Sequence, residues 1–182
     1  MKRTLLFALM LAGCQEDVTQ NTDPVPLTAE TLGHFCQMNL LEHEGPKGQV
    51  HLDGLPGAPL FFSQVSDLVT YLRLPEQSNQ VLAIYVSDMG AGGATWAEPG
   101  AANWIDAQTA TYVVGSDAVG GMGAPELVPF ADTAKAEAFA ALHGGTLVGL
   151  EAIPDTALST VDAAVPEGED DYARRLKSLS EG

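Results

Sequence analysis

The chain has 182 residues, with 8 lysines and arginines against 24 aspartates and glutamates and a formal net charge of −16. So acidic a balance excludes nucleic acid and anionic lipid as electrostatic partners, and could draw cations or a basic patch on another protein. The length suits one domain, or two very small ones packed together.

In chain order, Met1-Lys2-Arg3 leads into an apolar stretch that is too short for a membrane-spanning helix of about 20 residues. A basic start followed by a short apolar run is the layout of an export signal. It ends in Leu11-Ala12-Gly13-Cys14, which resembles a bacterial lipobox. The resemblance implies that residues 1–13 are removed and that the Cys14 thiol becomes a thioether to lipid. Gln15 does not suggest inner-membrane retention, so the expected place is periplasmic, anchored to the outer membrane. An ordinary signal with an incidental cysteine is the competing reading. Processing removes two basic residues and no acidic one, so the mature chain is more acidic still.

Residues 14–27, polar and punctuated by Pro24 and Pro26, read as a lipidated tether. Gly48–Leu52 alternates like a strand, Gly54 to Gly57 turns, and residues 58–62 form a second strand. Ser63 then caps a helix from Gln64 to about Arg73, with Val65, Leu68, Val69 and Leu72 at helical spacing. Val81 to Val86 is a further strand. Trp96 and Trp104 flank a Gly/Pro-rich loop, either as anchors for a partner or, the favoured reading, pinning that loop to the core. Thr111–Val114 and Glu126 to Phe130 are strands on either side of the Gly120–Gly123 turn. Asp132 caps a helix from Thr133 to about His143, ended by Gly144-Gly145, and Thr146 to Leu150 is the last strand. The triplet Gly57-Ala58-Pro59 recurs as Gly123-Ala124-Pro125. The predicted fold is α+β: two repeated strand–strand–helix units, each with a small antiparallel sheet. The domain spans 28–165, with repeats at about 28–95 and 96–150 and a short C-terminal extension, followed by an acidic tail over 166–182.

If Cys14 carries lipid, Cys36 is an unpaired thiol in an oxidising compartment, where it needs protection or a use. Met38 follows it by two residues in Gly33-His34-Phe35-Cys36-Gln37-Met38. Were this segment extended, His34, Cys36 and Met38 would share one face. Thiolate and thioether donors select Cu(I), and a bound Cu(I) would mask the thiol. Met89 in Asp88-Met89-Gly90 and Met122 in Gly121-Met122-Gly123 are the other mature methionines, both set among glycines. The expected ligands are Cys36, Met38 and Met89, with His34 and Met122 possible. Met89 is favoured over Met122 because a flexible glycine run follows a strand end there. The competing readings are Met89 as a turn residue and Met122 as packing. His43 and His51 read as surface residues, and His143 as a cation at a helix C-terminus.

No Gly-x-Ser-x-Gly elbow, phosphate-binding glycine loop or His-Glu-x-x-His occurs, and the chain is not expected to be an enzyme. A thiol-dependent enzyme using Cys36, for organometal cleavage or thiol-redox exchange, is the alternative.

Taken in order, the lipobox, Cys36-Gln37-Met38, Gly45-Pro46-Lys47-Gly48, Pro59-Leu60-Phe61-Phe62-Ser63, Tyr85-Val86-Ser87-Asp88-Met89-Gly90, Tyr112-Val113-Val114-Gly115-Ser116 and Met122-Gly123-Ala124 closely resemble the NosL family. The resemblance implies a Cu(I) metallochaperone lipoprotein that serves nitrous-oxide reductase maturation beside a membrane ABC-type complex. It also implies a ligand pair at Cys36 and Met38 and a remote sulfur at Met89. One departure stands out: many relatives have Cys-Gly-Met, and Gln37 stands here. A strand accommodates that; a turn demanding positive φ does not welcome it.

Overall fold

The computed structural model describes residues 19–158. The signal, Cys14 and the acidic tail lie outside the described residues.

The first unit opens with a hairpin, β1 (Gly48–Leu52) pairing antiparallel with β2 (Leu60–Phe62), Gly48 opposite Phe62. Helix α1 (Val65–Arg73) follows and buries Val65, Leu68 and Val69 on one side, as the helical spacing of its apolar residues requires. Gly48 is what lets it approach: a Cβ there would stand 2.3 Å from Leu68 Cδ1. The residue before the helix is Gln64, not Ser63, and its side chain makes no capping bond. Strand β3 (Val81–Ser87) returns antiparallel to β1, and β4 (Trp104–Asp106) adds an edge, giving the order β2-β1-β3-β4. The sequence did not point to β4, which has only three residues and no alternating pattern.

The second unit repeats the plan. Strands β5 (Thr111–Val114) and β6 (Val128–Phe130) pair antiparallel, α2 (Thr133–His143) follows, and β7 (Thr146–Val148) returns beside β5. Its order, β6-β5-β7, matches β2-β1-β3. Each repeat is therefore strand–strand–helix–strand, one strand longer than expected. Asp132 accepts from Ala134 N–H at 2.9 Å, and Gly144 at φ +75° ends α2, both as the sequence indicates. Leu150 leaves the sheet for a short 3-10 turn, Leu150–Ala152.

The main core draws on both units, with Val50, Phe62, Leu68 and Val86 meeting Tyr112, Val114 and Leu127. A smaller cluster of Val113, Val128, Phe130 and Ala136 lies beneath α2. Two expectations change at β1. The tether read over 14–27 is already docked from Gln20, whose amide donates to Leu52 O at 2.9 Å. Further on, Val25 N–H donates to Gln49 Oε1 at 2.9 Å, and Leu27 is buried. That cover buries His51, expected at the surface: its ring is sealed, with Nε2 3.1 Å from Gln49 Oε1. Burial holds its pKa below the ordinary histidine value.

Candidate metal site

The segment carrying Cys36 is a tight loop. Leu32 and Asn39 form an isolated antiparallel bridge, and Gly33 N–H donates to Met38 O at 3.0 Å. Residues 34–36 form a turn, so the common strand face expected for His34, Cys36 and Met38 does not exist. Gln37 occupies the left-handed region at φ +55°, alone in this among the non-glycine described residues. Its amide compensates, donating to His34 O at 2.7 Å and Gly33 O at 3.2 Å. Gly33 completes the fold of the loop, because a Cβ there would lie 2.4 Å from Cys36 Sγ. The thiol is laid back over the backbone of Gly33. His34 N–H ties the loop to β2 through Phe61 O at 2.7 Å. The His34 ring joins an aromatic cluster, its centroid 5.2 Å from Phe35, 5.3 Å from Tyr71 and 5.7 Å from Phe62. Met38 is 41% exposed on the same loop.

Cys36 and Met122 line one cleft of about 320 Å³, whose other walls include Phe35, Gln64, Asp67 and Pro125. Met122 is brought there from the second unit by a buried polar chain. Its N–H donates to Gln64 Oε1 at 3.0 Å, and Gln64 Nε2 donates to Ser66 Oγ at 3.1 Å. Ser66 N–H in turn donates to Glu126 Oε1 at 3.2 Å, and Leu127 N–H to the same oxygen at 2.8 Å. Gly120 passes so close that a Cβ would meet Glu126 Oε2 at 2.8 Å and Gln64 Cδ at 2.9 Å. These bonds fasten the turn before β6 to the start of α1. They hold the Met122 turn against the start of α1, on the cleft that Cys36 also lines.

Two buried ionisable groups stand behind the cleft. Burial drives the Glu126 carboxyl up to about 8, with the bonds from Leu127 and Ser66 and the Lys47 charge opposing. Burial brings the Lys47 ammonium down to about 8, with the charges of Glu126, Cys36 and Glu44 opposing. The ammonium donates to Gly45 O at 2.6 Å and Glu44 O at 2.9 Å.

Met89 is elsewhere. It packs on the second cluster and lines a separate cavity with Trp96, Phe139 and His143. The ligand set expected from the sequence is thus split, with Met122 rather than Met89 sharing the cleft of Cys36, and with Met38 and His34 both absent from that cleft's lining. His143 does sit at a helix C-terminus, its Nδ1 2.9 Å from Asp117 Oδ1. His43 is half-buried, with Nε2 sealed from solvent. Trp96 pins its loop, donating to Val119 O at 3.1 Å, with its ring against Gly45. Gln64, Glu126 and Lys47 escaped sequence reading. Of these only Lys47 carried a signal, the Gly45–Gly48 segment of the family pattern.

A two-unit α+β fold with a thiol and a thioether facing one cleft defines a protein equipped for soft-metal coordination. The NosL family pattern matches residues 24–158, and the chain belongs to that family. It is 53% identical over 173 residues to the copper-binding lipoprotein NosL of Achromobacter cycloclastes, covering 93% of this chain and 89% of that one. It is 33% identical over 172 residues to the copper-binding lipoprotein NosL of Stutzerimonas stutzeri, covering 93% and 87%. The crystal structure of the copper chaperone NosL from Shewanella denitrificans superposes with a TM-score of 0.68 at 31% identity, over 75% of this chain and 98% of that one.

Proposed function

We propose that this protein is a lipid-anchored Cu(I) carrier of the periplasm that supplies copper for the centres of nitrous-oxide reductase. The single observation that carries the copper assignment is the shared cleft: a thiol and a thioether from opposite units face one space, with a buried ammonium behind them. Cys36 thiolate is the principal donor, Met122 reaches it across the cleft, and Met38 adds a thioether from the solvent side of the loop. Such a set suits Cu(I) over Zn(II), for which thioethers are not usual donors. The names of the relatives, copper-binding lipoproteins and a copper chaperone, support the same reading.

Release follows from the exposure of Met38 and the open cleft. An acceptor's thiolate, thioether or imidazole bonds to the ion first, the Cys36 sulfur–copper bond breaks afterwards, and the metal stays Cu(I) throughout. No free ion forms. The acidic surface favours approach by a basic face of the acceptor or of a membrane maturation complex.

In titrations against a Cu(I) chelator, the reduced protein should bind Cu(I) far more tightly than Zn(II). Cys36→Ser should weaken Cu(I) binding most, and Met122→Ala and Met38→Ala less. Equal titrations for the native chain and Cys36→Ser would overturn the site and return Cys36 to the thiol-enzyme alternative. The anchor is checked separately: Cys14→Ala should yield protein without acyl groups in the soluble envelope fraction. Acylated Cys14→Ala protein in the membrane fraction would refute it.

A further inference from the structure

The cavity that holds Met89 has its own chemistry. It encloses about 460 Å³ between the Gly-rich loop after β3 and the end of α2, lined by Met89, Trp96, Asp117, Phe139 and His143 among others. Both donor atoms are carried on firmly held backbone. Met89 N–H donates to Pro129 O at 2.9 Å, and Asp88 Oδ1 accepts from Gly90 N–H at 2.9 Å and Ala131 N–H at 3.0 Å. His143 closes α2, and its carbonyl accepts from Asp117 N–H at 2.9 Å.

The imidazole is oriented as well. Its Nδ1 lies 2.9 Å from Asp117 Oδ1, and Phe139 stacks on the ring with centroids 4.3 Å apart. A carboxylate oxygen beside Nδ1 selects the tautomer with the proton on Nδ1, the one that turns the lone pair of an imidazole ligand to Nε2. A carboxylate that fixes a histidine tautomer is the usual second partner of a metal-binding imidazole. The thioether is a soft donor, the imidazole an accepted copper ligand, and the Trp96 indole, on the same cavity wall, is the ring type that attracts a cation most strongly.

We propose that this cavity is a second Cu(I) site, with the Met89 thioether and the His143 imidazole as ligands and Trp96 as a cation–π wall. It rests on the copper reading above and differs from it in every ligand. With two neutral donors and no thiolate, it fills after the Cys36 cleft.

Removal of residues 1–13 leaves Met38, Met89 and Met122 as the only methionines, so ¹³C-methyl-methionine NMR resolves the question in three signals. The lipidated protein is solubilised in detergent, where Cys14 is blocked as a thioether, and titrated with Cu(I) under reducing conditions. The first equivalent should shift Met38 and Met122 and leave Met89 in place. The second should shift Met89. In His143→Ala and in Met89→Leu, a nearly volume-conserving change, the second equivalent should be lost while the first is retained. A Met89 signal unmoved at excess Cu(I) would overturn the second site. So would a Met89 shift with the first equivalent, or a full Met89 shift in His143→Ala. Met38 and Met122 signals that never move, beside a Met89 signal that does, would overturn the Cys36 reading and leave the second site standing.

Discussion

Gln37 shows how much a single backbone angle governs at the proposed site. Its φ of +55° carries the chain through the turn that folds Cys36 over Gly33, and its side-chain amide caps two carbonyls of the loop. Glycine is free in this region and an amide side chain tolerates it, whereas a β-branched residue clashes there. Gln37→Val should therefore cost about 1–2 kcal/mol of stability and weaken Cu(I) binding. Gln37→Asn should preserve more of both. Urea melts and chelator competition on the two variants check this. The departure from Cys-Gly-Met was visible in the sequence, but whether it fell in a strand or a turn was not. The bridge between Leu32 and Asn39 decided that, and one-dimensional spacing says nothing about it.

Among the elements, the pairing of β1 with α1 is the tightest constraint. All of β1 is buried, with α1 on one side and residues 20–27 supplying cover for Gln49 and His51 on the other. The polar face of an alternating strand reads as solvent-facing, and only the docked N-terminal segment reverses that. Gly48→Ala would push a methyl into Leu68, and overpacking of this kind costs about 1–3 kcal/mol. A lowered melting temperature is the expected outcome, together with weaker Cu(I) binding, because α1 carries Ser66 and follows Gln64. An unchanged melt would show that α1 can shift without cost. The strands and helices themselves were legible, since period-two and helical spacing, Asp132 and the paired glycines at 144 and 145 mark them. The three-residue β4 has no such period. Its pairing with β3 defines it.

At the scale of the whole molecule, the two units are joined by buried polar groups as well as by the shared core. Glu126, from the second unit, accepts the Ser66 N–H of the first, and its other oxygen is sealed without a partner among the described residues. Burial raises its folded pKa to about 8 from the ordinary value of 4.5, so between these values the folded state binds more protons than the unfolded. The stability this contributes is fully present below about 4.5 and lost as pH rises through about 8. Lys47, lowered to about 8 from 10.5, gives the opposite slope above that range. Melting temperature should therefore fall as pH rises from about 5 to 8. In Glu126→Gln, whose amide does not titrate, the fall should be much reduced; an identical slope in both proteins would show that Glu126 is not the group responsible.

From the sequence by itself came the expectation of an export signal, the α+β class, the internal duplication, the boundaries of α2 and the family. All of these rest on local composition, periodicity or residue order, which a linear chain displays directly. The tertiary structure alone decided which methionine lines the cleft of Cys36. Met89 and Met122 both lie among glycines and look alike in the chain. They part because the Gln64–Ser66–Glu126 bonds draw the Met122 turn onto α1. Met89 is instead bound to Pro129 at the edge of the second sheet. Contacts between residues some sixty positions apart depend on how the two repeats pack together, and no periodicity within either repeat encodes that packing.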